Sequence, residues 1–299
     1  MRMRWNPIVK KDLQVTARSM RLSWGVFAYE AVLTMAFLLA LAVIQQESRS
    51  IYTTGNIYGY LIYLFPVLSV AQVCIVALIV PVITASSISG EKERQTFDIM
   101  LTTCMSPFSI VLGKVASAIL RILFFVIAGM PIMALAFVAG GLSWSYLFYF
   151  ILTIILLSLL SGSIGILCSA LCRRSITAVV LSYVFYFFIY ILTFLPVILR
   201  ALLTDGERMG ESMLILLINP FIFFEEFFMQ LMTGESLFGA SGSNFTSGEV
   251  GFITYNLSQG KIWLFLSAAC ILTLSVLFML AAAWKVNPMH SSSGKKRKK

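Results

Sequence analysis

Charge is scarce in this chain. Asp, Glu, Lys and Arg make up 12% of its 299 residues and hydrophobic residues 59%, whereas a soluble domain carries about 25% and roughly 45–50%. So little charge cannot cover the surface of a water-soluble globule of this size. That excludes a cytoplasmic enzyme, a secreted domain and a disordered scaffold. Histidine is nearly absent, His290 being the only one, and metal-dependent intramembrane chemistry needs several such ligands. The five cysteines, Cys74, Cys104, Cys168, Cys172 and Cys270, lie in or beside apolar stretches, which argues against a disulfide framework or redox centre. Cys168 and Cys172 share a helical face at i, i+4 but have no carboxylate nearby, so they read as packing residues. The phosphate-cradling sequence Gly-x-x-x-x-Gly-Lys-Ser/Thr is missing as well, so the chain has no nucleotide loop of its own.

Long apolar runs are what the chain has instead. Charge-free stretches occur at 31–46, 50–90, 122–172, 175–199 and 262–284. A bilayer core of about 30 Å takes roughly 20 helical residues, and Gly140-Gly141 divides the longest run. Six spans are predicted, at 24–45, 57–85, 115–139, 144–171, 176–203 and 262–284, in an all-α integral membrane protein. With both termini in the cytoplasm, 18 of the 22 Lys and Arg fall inside and only Arg49, Arg200, Arg208 and Lys261 outside, as the positive-inside rule requires. The basic lead-in and the length of the first apolar run suit a retained span rather than a cleaved leader. Residues 1–284 then form one six-span domain, followed by a basic cytoplasmic tail at 285–299 that suits anionic lipid.

Four features stand out from the lipid-facing sequence. In residues 1–23, Val9, Leu13, Ala17 and Met20 make an apolar stripe flanked by Lys10, Lys11 and Arg18. Asn6-Pro7 suits a helix start, so this segment reads as an amphipathic elbow helix lying in the headgroup layer. In the cytoplasmic segment 86–112, a helix is predicted to begin near Ser89, with Glu91 and Glu93 in its first turn. Phe97, Met100, Leu101 and Cys104 would share its apolar face, and Ser106-Pro107 would start the next helix. A short helix charged at one end and apolar along one side is shaped to dock a partner. The external loop 204–261 is acidic but nearly all apolar over 213–232, broken at Asn219-Pro220. It predicts two short re-entrant helices in the outer leaflet, with Glu225 and Glu226 facing water or the bundle. Finally, Glu30 sits two turns into the first span, where ionisation is costly, and is a candidate functional carboxylate. Ser158, Gly162, Gly165 and Ser169 form a small-residue stripe suited to close packing, and Pro66, Pro81, Pro131 and Pro196 predict kinks.

The segment after the second span resembles that of type-2 ABC exporter permeases, which reads Gly-Glu-Arg-Glu-x-Gly-Thr, then leucines, Ser-Pro and Leu-Gly-Lys. The matching residues are Gly90, Glu91, Glu93, Thr96, Leu101, Ser106, Pro107, Leu112, Gly113 and Lys114; Gln95 stands where glycine is usual. The Asn6-Pro7…Lys10-Lys11-Asp12-Leu13…Arg18 opening resembles the same family's elbow helix. The resemblance implies a permease subunit in a bacterial cytoplasmic membrane. It further implies two copies of a separate cytoplasmic ATPase that binds ATP and Mg, and a second permease chain as homo- or heterodimer partner. No cofactor is expected on this chain and no nucleic acid partner. Glu91, Glu93, Arg94, Phe97, Met100 and Leu101 would contact the ATPase as a coupling helix. Spans two and five would line the path, and their Tyr and Phe content suits an amphipathic, lipid-like or peptide substrate. Two other readings stay open: a non-transporting signalling or immunity subunit that binds an ATPase, and an ion-coupled carrier using Glu30.

Overall fold

The computed structural model describes residues 9–10, 12, 14–15, 18–50, 61–96, 106–142, 144–203, 214–233 and 260–286. Among these there is no strand, and six helices are long and apolar enough to cross a membrane. They are α1 (Met20–Ser50), α2 (Leu64–Glu93), α3 (Pro107–Ala139), α4 (Trp144–Leu171), α5 (Ser175–Tyr190, extended by later turns) and α8 (Gly260–Val286). Two shorter helices lie between, α6 (Leu195–Leu203) and α7 (Pro220–Thr233), with a 3-10 turn over Leu214–Ile218 just before α7. The end of the bundle carrying Lys92, Lys114, Arg173, Arg174 and Lys285 is called here the basic face, and the other end the opposite face.

Local chemistry sets where these helices begin and end. Ser106 caps α3, accepting from the Ser109 N–H at 3.3 Å, with Pro107 in the first turn, where its missing N–H costs nothing. At the other end α3 closes with Gly141 at φ +63°, and the N–H groups of Gly141 and Leu142 return to the carbonyls of Val138 and Phe137 at 3.2 and 3.4 Å. That is a left-handed cap which glycine adopts without strain. Of the four prolines expected to kink spans, Pro196 accompanies a break. Its ring crowds the carbonyl four residues back and offers it no N–H, and the fifth span passes through a 3-10 turn at Leu192–Phe194 before α6. Pro66 instead sits in the first turn of α2, and α2 and α3 run unbroken through Pro81 and Pro131.

Of the two short helices expected before the sixth span, the second is α7 and the first is the five-residue 3-10 turn Leu214–Ile218. Asn219 is fully buried and joins them to the broken span. Its Oδ1 accepts from the Phe221 N–H at 2.9 Å, capping α7. Its Nδ2 donates to the Tyr190 carbonyl at 3.0 Å and to Thr193 Oγ1 at 2.7 Å. Glu225 is exposed and Glu226 buried, the latter accepting from Gln230 Nε2 at 2.9 Å. Residues 204–213, 234–259 and 287–299, which hold the rest of the predicted loop and tail, lie outside the described residues.

The fourth span is the most buried of the six, and its seam with α2 is the most extensive among the described residues. The predicted stripe lies along it. Ser169 Oγ accepts from the backbone N–H groups of Ile88 and Ser89 at 2.9 and 2.8 Å, so the α2 backbone itself touches α4. A Cβ built on Gly165 would stand 1.9 Å from Thr84 Oγ1 and 2.8 Å from Thr84 Cβ. Toward the opposite face, Phe65, Phe137, Phe150, Phe224 and Phe228 form an aromatic cluster tying α7 to spans two, three and four, with Phe224 and Phe228 centroids 4.8 Å apart. Gly165→Ala is expected to destabilise the bundle by about 2 kcal/mol in thermal unfolding in detergent. Thr84→Ala in the same chain should recover part of that loss, a coupling that a double-mutant cycle reads directly.

Candidate functional site

The end of α2 is where the structure departs most from expectation. Residues 89–93 do not start a new helix; they are the last turn of the second-span helix, which stops at Glu93. Its end is a full left-handed cap. The Gln95 N–H bonds to the Lys92 carbonyl at 3.2 Å and the Thr96 N–H to the Glu91 carbonyl at 3.0 Å, with Gln95 at φ +59°. Glycine would adopt that left-handed conformation without strain. Glu91 and Glu93 therefore sit at the negative end of their own helix, which disfavours them. Neighbouring elements supply the compensation.

Consecutive helical residues point about 100° apart, so Glu91, Lys92 and Glu93 reach three different partners. Glu91 Oε1 accepts from Lys114 Nζ of α3 at 2.8 Å. Lys92 Nζ turns to the C-terminal end of α4. It donates to the carbonyls of Ser169 and Cys172 at 3.4 Å each and to that of Ala170. These are among the carbonyls a helix leaves unpaired at its end, where a cation is favoured. Glu93 Oε2 accepts from the Ser175 N–H at 3.2 Å and its hydroxyl at 2.7 Å. Because Arg174 at the cap position of α5 offers no acceptor, Glu93 caps the fifth span from another helix.

Lys114 extends the cluster to the N-terminal segment. Its side chain is 5% exposed, and Nζ lies 3.2 Å from Asp12 Oδ2 as well as 2.8 Å from Glu91. Ser117 Oγ donates to the same Asp12 oxygen at 3.2 Å, and Arg121 approaches it at 4.0 Å. Two cations thus face two carboxylates in a largely dehydrated node at the membrane's edge. Beneath it, Ile88, Val111, Ile166, Ala282 and Val286 form a small apolar cluster that brings in α8. The node joins the N-terminal segment to spans two, three, four and five.

A search among curated proteins returned no match. The family described as ABC-2 family transporter protein matches residues 27–285. The chain belongs to that family. It is a multi-pass permease subunit of an ABC transporter, in a family that associates with an ABC ATPase and dimerises; the permease domain itself is not an ATPase.

The permease places the other sequence-predicted residues unevenly. Arg94 is exposed at the C-cap of α2. Phe97, Met100 and Leu101 lie outside the described residues, as does Leu13. Residues 9–10, 12 and 14–15 are helical, with Val9 buried and Lys10 exposed. Met20, expected in the elbow helix, instead begins the first-span helix after a turn at Arg18-Ser19, and both Met20 and Arg18 are exposed. Met20 falls there because the Leu22 N–H bonds to the Ser19 carbonyl at 3.0 Å, opening the new helix. Glu30 is half-buried on a face of α1 with Phe27, Ala31, Thr34, Met35 and Leu38, and its Oε1 has no hydrogen-bond partner among the described residues. It stands apart from the node.

Asp12, Lys92, Lys114, Ser169 and Ser175 were not among the predicted site residues. One signal pointed to Asp12: it is the lone acid among the six basic residues of positions 1–21. Lys114→Met is expected to destabilise the permease by about 3–5 kcal/mol, because it strands two carboxylates in a dehydrated site. Combining it with Asp12→Asn and Glu91→Gln should restore most of the loss, as read by denaturant unfolding in detergent. Gln95→Gly, by contrast, should stabilise by about 1 kcal/mol.

Proposed function

We propose that this permease exports an amphipathic, lipid-like or peptide substrate across a bacterial cytoplasmic membrane. Two copies of a separate cytoplasmic ATPase, carrying ATP and Mg, drive it, and a second permease chain completes the path. Both termini and the basic face are cytoplasmic in this reading, and residues 91–104, including Glu91, Glu93, Arg94, Phe97, Met100 and Leu101, meet the ATPase. The observation that carries it is the splay of Glu91, Lys92 and Glu93 onto three neighbouring spans, at the start of that contact segment. A push on residues 97–105 would act on the end of span two and, through Lys92 and Glu93, on the ends of spans four and five. The bundle would then rock as a body, one of the established routes of domain switching.

The substrate class rests on the spans assigned to the path. The described part of span five presents Val180, Val184, Phe187 and Phe188 on its exposed side, with Tyr186 and Tyr190 stacked at 5.5 Å behind them. Such a surface offers apolar and aromatic contact and few fixed hydrogen-bonding groups, which suits a sugar or an ion poorly. Glu30 is proposed as a carboxylate that finds its partner when the permease pairs with the second chain, since an orphaned carboxylate facing hydrocarbon is costly.

Glu93→Lys and, separately, Phe97→Asp should leave membrane insertion and basal ATP hydrolysis in the assembled transporter intact. Substrate transport per ATP should fall by about tenfold, the size of a coupling change of about 1.4 kcal/mol. Unchanged transport per ATP in both variants would sink the assignment of the contact segment.

A further inference from the structure

A groove runs between α4, α7 and α8, and no residue of the first or fifth span lines it. Its volume is about 590 Å³, and its wall includes Tyr149, Leu156 and Leu159 of α4, Phe227 of α7, and Ala268 and Leu272 of α8. Thr153 and Gln230 are the other hydrogen-bonding side chains in the lining. Phe265, Leu152 and Leu272 are 78%, 55% and 44% exposed, so the groove opens sideways into the membrane rather than along the bundle axis.

Its depth is informative. The lining of α4 extends from Tyr149 to Leu159, about 15 Å at 1.5 Å per residue. That is half of a hydrocarbon core about 30 Å thick. The fourth span is 28 residues, Trp144–Leu171, about 40 Å long, so it overhangs the core by about 5 Å at each end. Measured from Trp144, the lining begins where the hydrocarbon begins and stops near the midplane. The groove therefore covers one leaflet, the one toward the opposite face.

The groove is also held open. α7 forms one wall, and its other side is anchored in the aromatic cluster, with Phe228 6.0 Å from Phe65 and 6.4 Å from Phe150. Its N-terminus is fastened by Asn219 to the break in span five. The 3-10 turn before it is fastened to α8 by Ser267 Oγ, which donates to the Leu217 carbonyl at 2.8 Å. α7 cannot close the gap without breaking these contacts, and an empty cleft at that depth would forfeit dispersion contacts along three walls. Acyl chains are what the bilayer offers at that depth.

We infer that this groove is a binding site for one acyl chain of a resident membrane lipid from the leaflet toward the opposite face. The inference needs the six spans and their depth, and does not depend on the direction or substrate of transport. The lipid chain completes the packing between spans four and six and the half-helix α7.

The test uses the assembled transporter in vesicles of phosphatidylethanolamine and phosphatidylglycerol, doped with phosphatidylglycerol bearing a photoreactive diazirine midway along one acyl chain. After irradiation, adducts are mapped by peptide mass spectrometry. Adducts on 149–159 and 264–272 should exceed those on the exposed face of the third span at 124–138, which presents Phe124, Ile127, Leu135 and Val138, by about tenfold. Ala268→Trp, which fills the groove, should abolish the excess while leaving labelling of 124–138 unchanged. Even labelling of all exposed faces in the unmodified chain would overturn the inference. So would an excess that disappears on ATP turnover, since that pattern marks transported cargo rather than a resident lipid.

Discussion

Three consecutive charges at the end of one helix hold the basic face of this permease together. At the end of α2 alone the helix dipole would disfavour Glu91 and Glu93 and favour Lys92. Each satisfies a need of a neighbour: the buried ammonium of Lys114, the unpaired carbonyls closing α4, and the uncapped N-terminus of α5. Helix ends are where backbone groups go unpaired, so the chain uses the ends of its spans as its polar adhesive. The arrangement places opposite charges on opposite dipole ends, and it fixes the relative height of four spans.

Away from that face the interactions change character. Between helices in a membrane there is no hydrophobic drive, since lipid is as apolar as leucine. Cohesion comes from close fit, and the α2–α4 seam shows how: Gly165 gives up its side chain to Thr84, and Ser169 reaches the α2 backbone. Toward the opposite face, aromatic rings do the filling, and α7 enters the bundle as an extra half-helix. The permease is thus stiff along α2 and α4, polar at one end and aromatic at the other. The first and fifth spans keep most of their surface uncovered.

Much of this was legible in the sequence, for physical reasons that differ by element. The six spans follow from charge-free runs, because the cost of burying charge is large and local. The stripe 158–162–165–169 was legible because small residues at helical spacing have few other uses. The node was not. Which neighbour a charge meets depends on how helices pack, and nothing in the spacing of Asp12, Glu91 and Lys114 shows that they converge. The expected helix start near Ser89 failed for a related reason. Spacing ties Glu91 and Glu93 to the dipole of their own helix, whereas they serve the dipoles and cations of others. Met20 reads as part of the elbow because its stripe is continuous with Val9, and periodicity does not register the break at Ser19.

The central claim is that the node makes the ends of spans two and five one rigid unit through which a push from the ATPase would travel. It is tested most directly by a distance between spin labels on Arg94→Cys and Ile176→Cys, both at exposed positions flanking the Glu93–Ser175 contact. The transporter is compared at rest and trapped with ATP and vanadate. The account predicts that this intrachain distance stays the same while the distance from Arg94→Cys to a label on the second permease chain changes. A change of several ångströms within the chain, with the interchain distance fixed, would contradict it.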